Sequence, residues 1–157
     1  MAQPYNLHQR EGLAEITRAI GVGCSSCARS LHFDFNGYQL AIIDMWLNRN
    51  GPGDINKIHI HPHSMLSGVY YVQVPPGSGN IEFLDPVIAR TATTYPKSGK
   101  TQRNASTAEF EPVEGKLIIF PSWLQHWVQP NRGTGERVSI SFNVGYQPID
   151  RSTQQPG

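Results

Sequence analysis

Charge of either sign is scarce in this chain. Of its 157 residues, 16% are Asp, Glu, Lys or Arg, and 13 basic side chains against 12 acidic ones leave a net charge of +1. That balance sets up no field for the phosphates of a nucleic acid or for an anionic membrane surface, and neither is expected as a partner. Long apolar runs are missing too. Nothing approaches the roughly 20 residues that span a bilayer. The opening "MAQPYNLHQREGL" lacks the basic-then-apolar plan of a secretory leader, so the expected location is the cytoplasm. Cysteine is down to 2 residues, Cys24 and Cys27 in "GCSSCARS". A lone CxxC can be a redox pair or half a zinc site. With no second CxxC, and flanks that do not read as a strand running into a helix, the expectation is two ordinary thiols in a turn.

What the chain does have is turn formers, 15 Gly and 12 Pro, spread through 38% hydrophobic residues. The length suits one domain burying roughly 70% of its unfolded surface. Residues 7–20, "LHQREGLAEITRAI", place Leu7, Leu13, Ile16 and Ile20 at near-helical spacing, which predicts one amphipathic N-terminal helix, followed by a Gly/Cys/Ser loop at 21–30. From about residue 31 the pattern changes to short strands. "LHFDFNGYQLAIIDMWLN" predicts a hairpin turning at Asn36-Gly37. "KIHIHPH", "LSGVYYVQV", "IEFLD", "GKLIIFPS", "HWVQP" and "ERVSISFNVGY" supply further strands. The polar stretch 90–108, "RTATTYPKSGKTQRNASTA", predicts a long, mobile loop of the kind that serves as an active-site lid. The expectation is a mainly β fold, a jelly roll, as one domain over residues 1–147 with its β core at 31–147, and a disordered tail at 148–157.

Three of the 6 histidines fall within five residues, in "NKIHIHPHSML". On a strand, His59, His61 and His63 would share one face, about 6.6 Å between neighbours and about 13 Å between the outer two. Metal–nitrogen bonds are about 2 Å. Adjacent members of the row can therefore share an ion, and His59 with His63 only where the backbone bends, as Pro62 could make it. The alternative is a solvated polar strand face, or a histidine hydrogen-bonded in the core.

Near the other end, "GKLIIFPSWLQHWVQPNRGTGERVSISFNV" places His126 at the entry to a strand, with Arg137 eleven residues on and Ser139 two further. Arg137 and Ser139 share a strand face. A charged residue in an otherwise apolar strand is costly unless paired, and a guanidinium facing inward is suited to grip a carboxylate through two parallel hydrogen bonds. The bland account is an exposed residue at the strand start, next to Glu136.

In combination, "HIHP", "SGVYYV", "FPSWLQH" and "RVSISFN" resemble the motifs of the 2-oxoglutarate/Fe(II)-dependent oxygenases, in particular a bacterial and phage group, over residues 40–146. The resemblance implies a double-stranded β-helix, cupin-like, holding Fe(II) at one open end with 2-oxoglutarate as cosubstrate. It implies metal ligation by His59, His61 and His126, and cosubstrate binding by Arg137 and Ser139, with Tyr71 at an aromatic position that touches the cosubstrate. Asn56 could orient a ligand or the cosubstrate, or simply make a turn. Trp46, Trp123 and Trp127 read as packing or pocket rim, and Asp85 in "FLDP" as a turn-capping residue.

One departure stands out. The wider superfamily supplies two His and one carboxylate, whereas His61 occupies the carboxylate position here. The spacing is also similar to that of cupins, with His59 and His61 in their first motif and Gly115, Pro121 and His126 in their second. Met65 and Leu66 stand where those proteins usually add a Glu. Three-His cupins can use iron and oxygen without 2-oxoglutarate, so a cupin-type dioxygenase is the second expectation. A non-catalytic metal-binding jelly-roll module is the third, and Arg137 argues against it. The expected substrate is a small molecule or a peptide. The chain is short for the superfamily, so a homodimer partner could replace missing support helices.

Overall fold

A computed structural model describes residues 5–87, 92, 95–99, 101 and 104–149. From Tyr38 onward the chain runs mainly as strands, and the longest buried stretches bury residues on both faces. The strands are β1 (Tyr38–Asn50), β2 (Asn56–His59), β3 (Leu66–Gln73), β4 (Ile81–Leu84), β5 (Thr107–Phe110), β6 (Leu117–Pro121), β7 (His126–Val128) and β8 (Arg137–Pro148). They form two antiparallel sheets, ordered β1-β8-β3-β6 and β2-β7-β4-β5. This is the expected jelly roll.

Its outer side is covered by α1 (Ala14–Ser30), preceded by two 3₁₀ turns at Leu7–Gln9 and Glu11–Leu13. Ile20, Cys24 and Ala28, four residues apart, make one buried stripe against Met45, Leu66, Ile140, Phe142 and Val144. Burying Ile20 or Phe142 in this way stabilises the fold by roughly 1.5–3 kcal/mol each.

Four expectations need correcting. The helix does not stop at Ile20 but runs on through residues 21–30. Cys24 and Ala28 extend its apolar stripe, and Gly23 leaves no Cβ where Ile119 and Leu117 would stand 3.0 and 3.1 Å away. The small residues allow close helix–sheet packing, which outweighs their poor helix propensity. Both thiols are free, and burial first, then Cys27, pushes Cys24 up to about 12. Cys24 is thus a packing residue on a helix.

Secondly, Asn36-Gly37 does turn the chain, with the Asn36 amide donating to Asp34 Oδ1 at 2.8 Å and Gly37 at φ 80, but no strand precedes it. Phe33 and Phe35 pack on the core cluster instead, and β1 pairs with β8 from Tyr38↔Pro148 to Asn50↔Arg137. Thirdly, the polar segment ends at Ser106. Thr107 and Ala108 open β5, paired with Leu84 and Phe83. Most of residues 88–103, and with them the expected lid, lie outside the described residues. Lastly, β8 carries its pairing to Pro148, and the Ile149 amide donates to the Gly37 carbonyl at 3.0 Å. Residues 150–157 are outside the described set.

The inner face of the first sheet is laid down in four rows by the strand register: Asn50 beside Arg137; Asn48, Ser139 and Tyr71; Trp46, Ser141 and Val69; Asp44, Asn143 and Ser67. Residues two apart on each strand fall in successive rows.

Candidate metal centre

β2 ends at His59, which pairs with His126 at the start of β7. His126 in turn pairs with Phe83. Past His59 the chain leaves the strand, and the His61 amide donates to the Ser122 carbonyl at 2.9 Å. Pro62 and His63, with φ 64, then turn it away. The ring centroids stand 4.3 Å apart for His59–His126, 5.0 Å for His59–His61 and 5.2 Å for His61–His126. One ring nitrogen of each lies within 4.8 Å of the other two. The structure thus gathers His59, His61 and His126, while His63 sits exposed in the turn.

The electrostatics suit a cation. Nδ1 of His59 lies 2.6 Å from the Lys57 carbonyl, and Nδ1 of His126 lies 2.9 Å from the Leu124 carbonyl. A carbonyl only accepts, so each Nδ1 carries the proton and Nε2 keeps its lone pair for a metal. Burial lowers His61 to about 4, helped by His126 and His59 and opposed by Asp44. Burial also lowers His126 to about 4, against the Leu124 carbonyl, which raises it, and with His59, which lowers it further. Imidazoles that stay neutral at pH 7 are the form that binds metals. With His59, the cluster offers three imidazole nitrogens, a set that fits a first-row divalent ion, Fe(II) among them.

A single cavity runs from these imidazoles to Arg137, lined also by Trp46, Asn48, Tyr71 and Ser139. Arg137 is 2% exposed and donates from Nη1 to the Gly79 carbonyl at 2.8 Å. Among the described residues no ion pair holds it. Burial lowers its pKa, opposed by Tyr71. Tyr71 is raised to about 12 by burial, opposed by Arg137, and so stays a neutral phenol. Arg137, Ser139 and Tyr71 therefore form a polar end with spare donors, as an enclosed carboxylate requires. Asn56 accepts from Asn50 Nδ2 at 3.2 Å and lines this same cavity.

The tryptophans divide. Trp46 lines the cavity, its ring 5.9 Å from His61 and its Nε1 donating to Asn48 Oδ1 at 3.1 Å. Trp127 is half-buried. Trp123, expected in packing or at the pocket rim, is instead 61% exposed and does not line this cavity, because the turn after Pro121 carries it outward. Asp85 Oδ1 accepts from the Val87 amide at 2.9 Å, a turn as expected.

Sequence reasoning missed a second polar group. Ser67 Oγ donates to Asn143 Oδ1 at 2.8 Å and lies 2.8 Å from Ser122 Oγ. Asn143 Nδ2 donates to Asp44 Oδ2 at 3.3 Å. Asn48 Nδ2 donates to Ser141 Oγ at 2.7 Å. The available signal was a small polar residue at alternate positions of otherwise apolar strands, in "LSGVYYV" and "SISFNV".

Comparison with known proteins gives a family and a fold. Residues 44–143 match the model of a family described as "Putative 2OG-Fe(II) oxygenase". Comparison with curated proteins gives no sequence match. Among solved structures, a prolyl-4-hydroxylase from Pseudomonas putida is similar at 20% identity and a TM-score of 0.57, over 86% of this chain and 67% of that one. HygX from Streptomyces hygroscopicus, with nickel and 2-oxoglutarate bound, is similar at 12% identity and a TM-score of 0.57, over 91% and 70%. A 2OG-Fe(II) oxygenase family oxidoreductase from Burkholderia pseudomallei is similar at 17% identity and 0.52, over 68% of this chain and 45% of that chain, so the chain spans less than half of its length. The fold is that of these oxygenases. The chain belongs to the 2OG-Fe(II) oxygenase family.

Proposed function

We propose that the protein is a 2-oxoglutarate-dependent non-haem iron dioxygenase that hydroxylates a C–H bond of a small molecule or peptide. The observation that carries the reading is the single cavity with three imidazoles at one end and, at the other, a buried guanidinium that among the described residues has no ion-pair partner. His59, His61 and His126 would hold Fe(II). Arg137 would grip the distal carboxylate of 2-oxoglutarate through its forked donors, with Ser139 and the neutral Tyr71 adding hydrogen bonds. Asn56 would brace that end through Asn50. Bound together, Fe(II) and 2-oxoglutarate supply the oxidation: oxygen splits between succinate and the substrate, and carbon dioxide leaves. The chain fixes the donors, keeps water out and holds the cosubstrate in line.

Anaerobic titration of 2-oxoglutarate into the Fe(II) protein tests this. A visible metal-to-ligand absorption band should grow and saturate, and with oxygen and substrate succinate should form. The three-imidazole donor set, with no carboxylate among its ligands, favours one second reading, a cupin-type dioxygenase. Oxygen consumption with a substrate but no band on adding 2-oxoglutarate would favour it.

A further inference from the structure

Asp44 sits on the inner face of the sheet for a specific reason. Ile42 pairs with Val144 and packs on the helix-side core. Strict alternation would send Asp44 to that same side. A bulge between Ile42 and Asp44 adds one residue, so Asp44 comes to oppose Asn143 on the cavity side, one row beyond Trp46. Bulges re-aim side chains in this way.

Its surroundings are built to hold a negative charge. The only proton on Ser67 Oγ goes to Asn143 Oδ1, so Ser122 Oγ must donate to Ser67. The Asp44 carboxylate, which only accepts, fixes the Asn143 amide with its NH₂ toward Oδ2 and its oxygen toward Ser67. The three relay residues are themselves buried, Ser67 at 1%, Ser122 at 0% and Asn143 at 8% exposed. Ser122 also carries the carbonyl that receives the His61 amide. Asp44 is half-buried, and among the described residues no cation pairs with it.

We infer that Asp44 is a positioning residue of the metal centre: held by the Ser122–Ser67–Asn143 relay, whose Ser122 also anchors the His61 backbone, it supplies from outside the ligand set the negative charge that three imidazoles lack. The idea rests on the three-histidine metal reading. Outer carboxylates of this kind typically change metal affinity by 10–100-fold.

The test is anaerobic titration of Co(II), followed by its visible absorption, into the metal-free full chain. Wild type should bind one ion. Asp44→Asn keeps the shape and the acceptor for Asn143 but not the charge, and should weaken binding about 10–100-fold, with the metal-free melting temperature unchanged. Asp44→Glu should recover part of the loss, which a purely structural role would not produce. Should Asp44→Asn fail to fold, Ser67→Ala, which cuts the relay, should weaken binding several-fold. Affinity equal to wild type in Asp44→Asn, or in Ser67→Ala where that variant is used, would overturn the inference and leave the metal site standing. No Co(II) binding by wild type would overturn both.

Discussion

Arg137 illustrates how one side chain can be costly to the fold and still suit the proposed site. A guanidinium 2% exposed with one backbone carbonyl as partner keeps donors aimed into the cavity. With 2-oxoglutarate seated, Arg137→Ala should leave a carboxylate unpaired, costing roughly 3–5 kcal/mol of binding. At about 1.4 kcal/mol per decade that is roughly a hundred-fold to a few thousand-fold in the titration midpoint of the absorption band. Arg137→Lys should recover only part, since an ammonium lacks the fork. Both variants should retain metal. His63→Ala should also leave metal affinity unchanged, because the turn after Pro62 carries His63 out of the cluster. Much of this was legible from spacing: a row of alternate histidines, a distant His126 and an Arg in an apolar strand. Which two histidines meet His126 was not, because it depends on where β2 ends and how the backbone leaves it.

The elements were less legible than the site. Leu7, Leu13, Ile16 and Ile20 announced a helix, but its second half looked like a loop because "GVGCSSCARS" has a loop's composition. Those small residues are there so that α1 can approach β6 closely, a tertiary fact that local propensity does not carry. The bulge at Ile43 was equally silent, since one extra residue leaves no signature in the polar–apolar pattern. Gly68 in β3 is a related case. A Cβ there would lie 2.3 Å from Phe142 Cζ and 2.5 Å from the Ile118 carbonyl oxygen. Gly68→Ala should therefore destabilise the protein by about 1–3 kcal/mol as Phe142 is forced off its rotamer, read as a lower midpoint in urea at unchanged slope. Unchanged stability would mean that β3 and β6 can part without loss.

At the scale of the whole molecule, the imidazole cluster couples stability to pH. His61 and His126 titrate at about 4 when folded and at about 6.5 when unfolded. Between those values the unfolded chain binds more protons, so stability is full above about pH 6.5 and falls as the pH drops toward 4. Thermal melts of the metal-free protein should show this decline, and His126→Asn should flatten it. No helix among the described residues is long and apolar enough to cross a membrane.

The far end of the cavity adds a last consequence. Asn131, 1% exposed, donates from Nδ2 to the carbonyls of Asn50 and Gly135. Its own carbonyl receives the Gly53 amide at 2.7 Å, and Gly79 lies so close to Gln129 that a Cβ would overlap the carbonyl oxygen at 2.0 Å. Backbone sewn this tightly behind Arg137 walls off that side of the chamber among the described residues, and a chamber walled at one end imposes a queue. Whatever lodges against Arg137 must enter first and depart last, past the imidazoles. Steady-state kinetics should then be sequential with 2-oxoglutarate leading, and a dead-end analogue of the second substrate should inhibit uncompetitively against it. Random order would mean a back door through the Asn131 stitching.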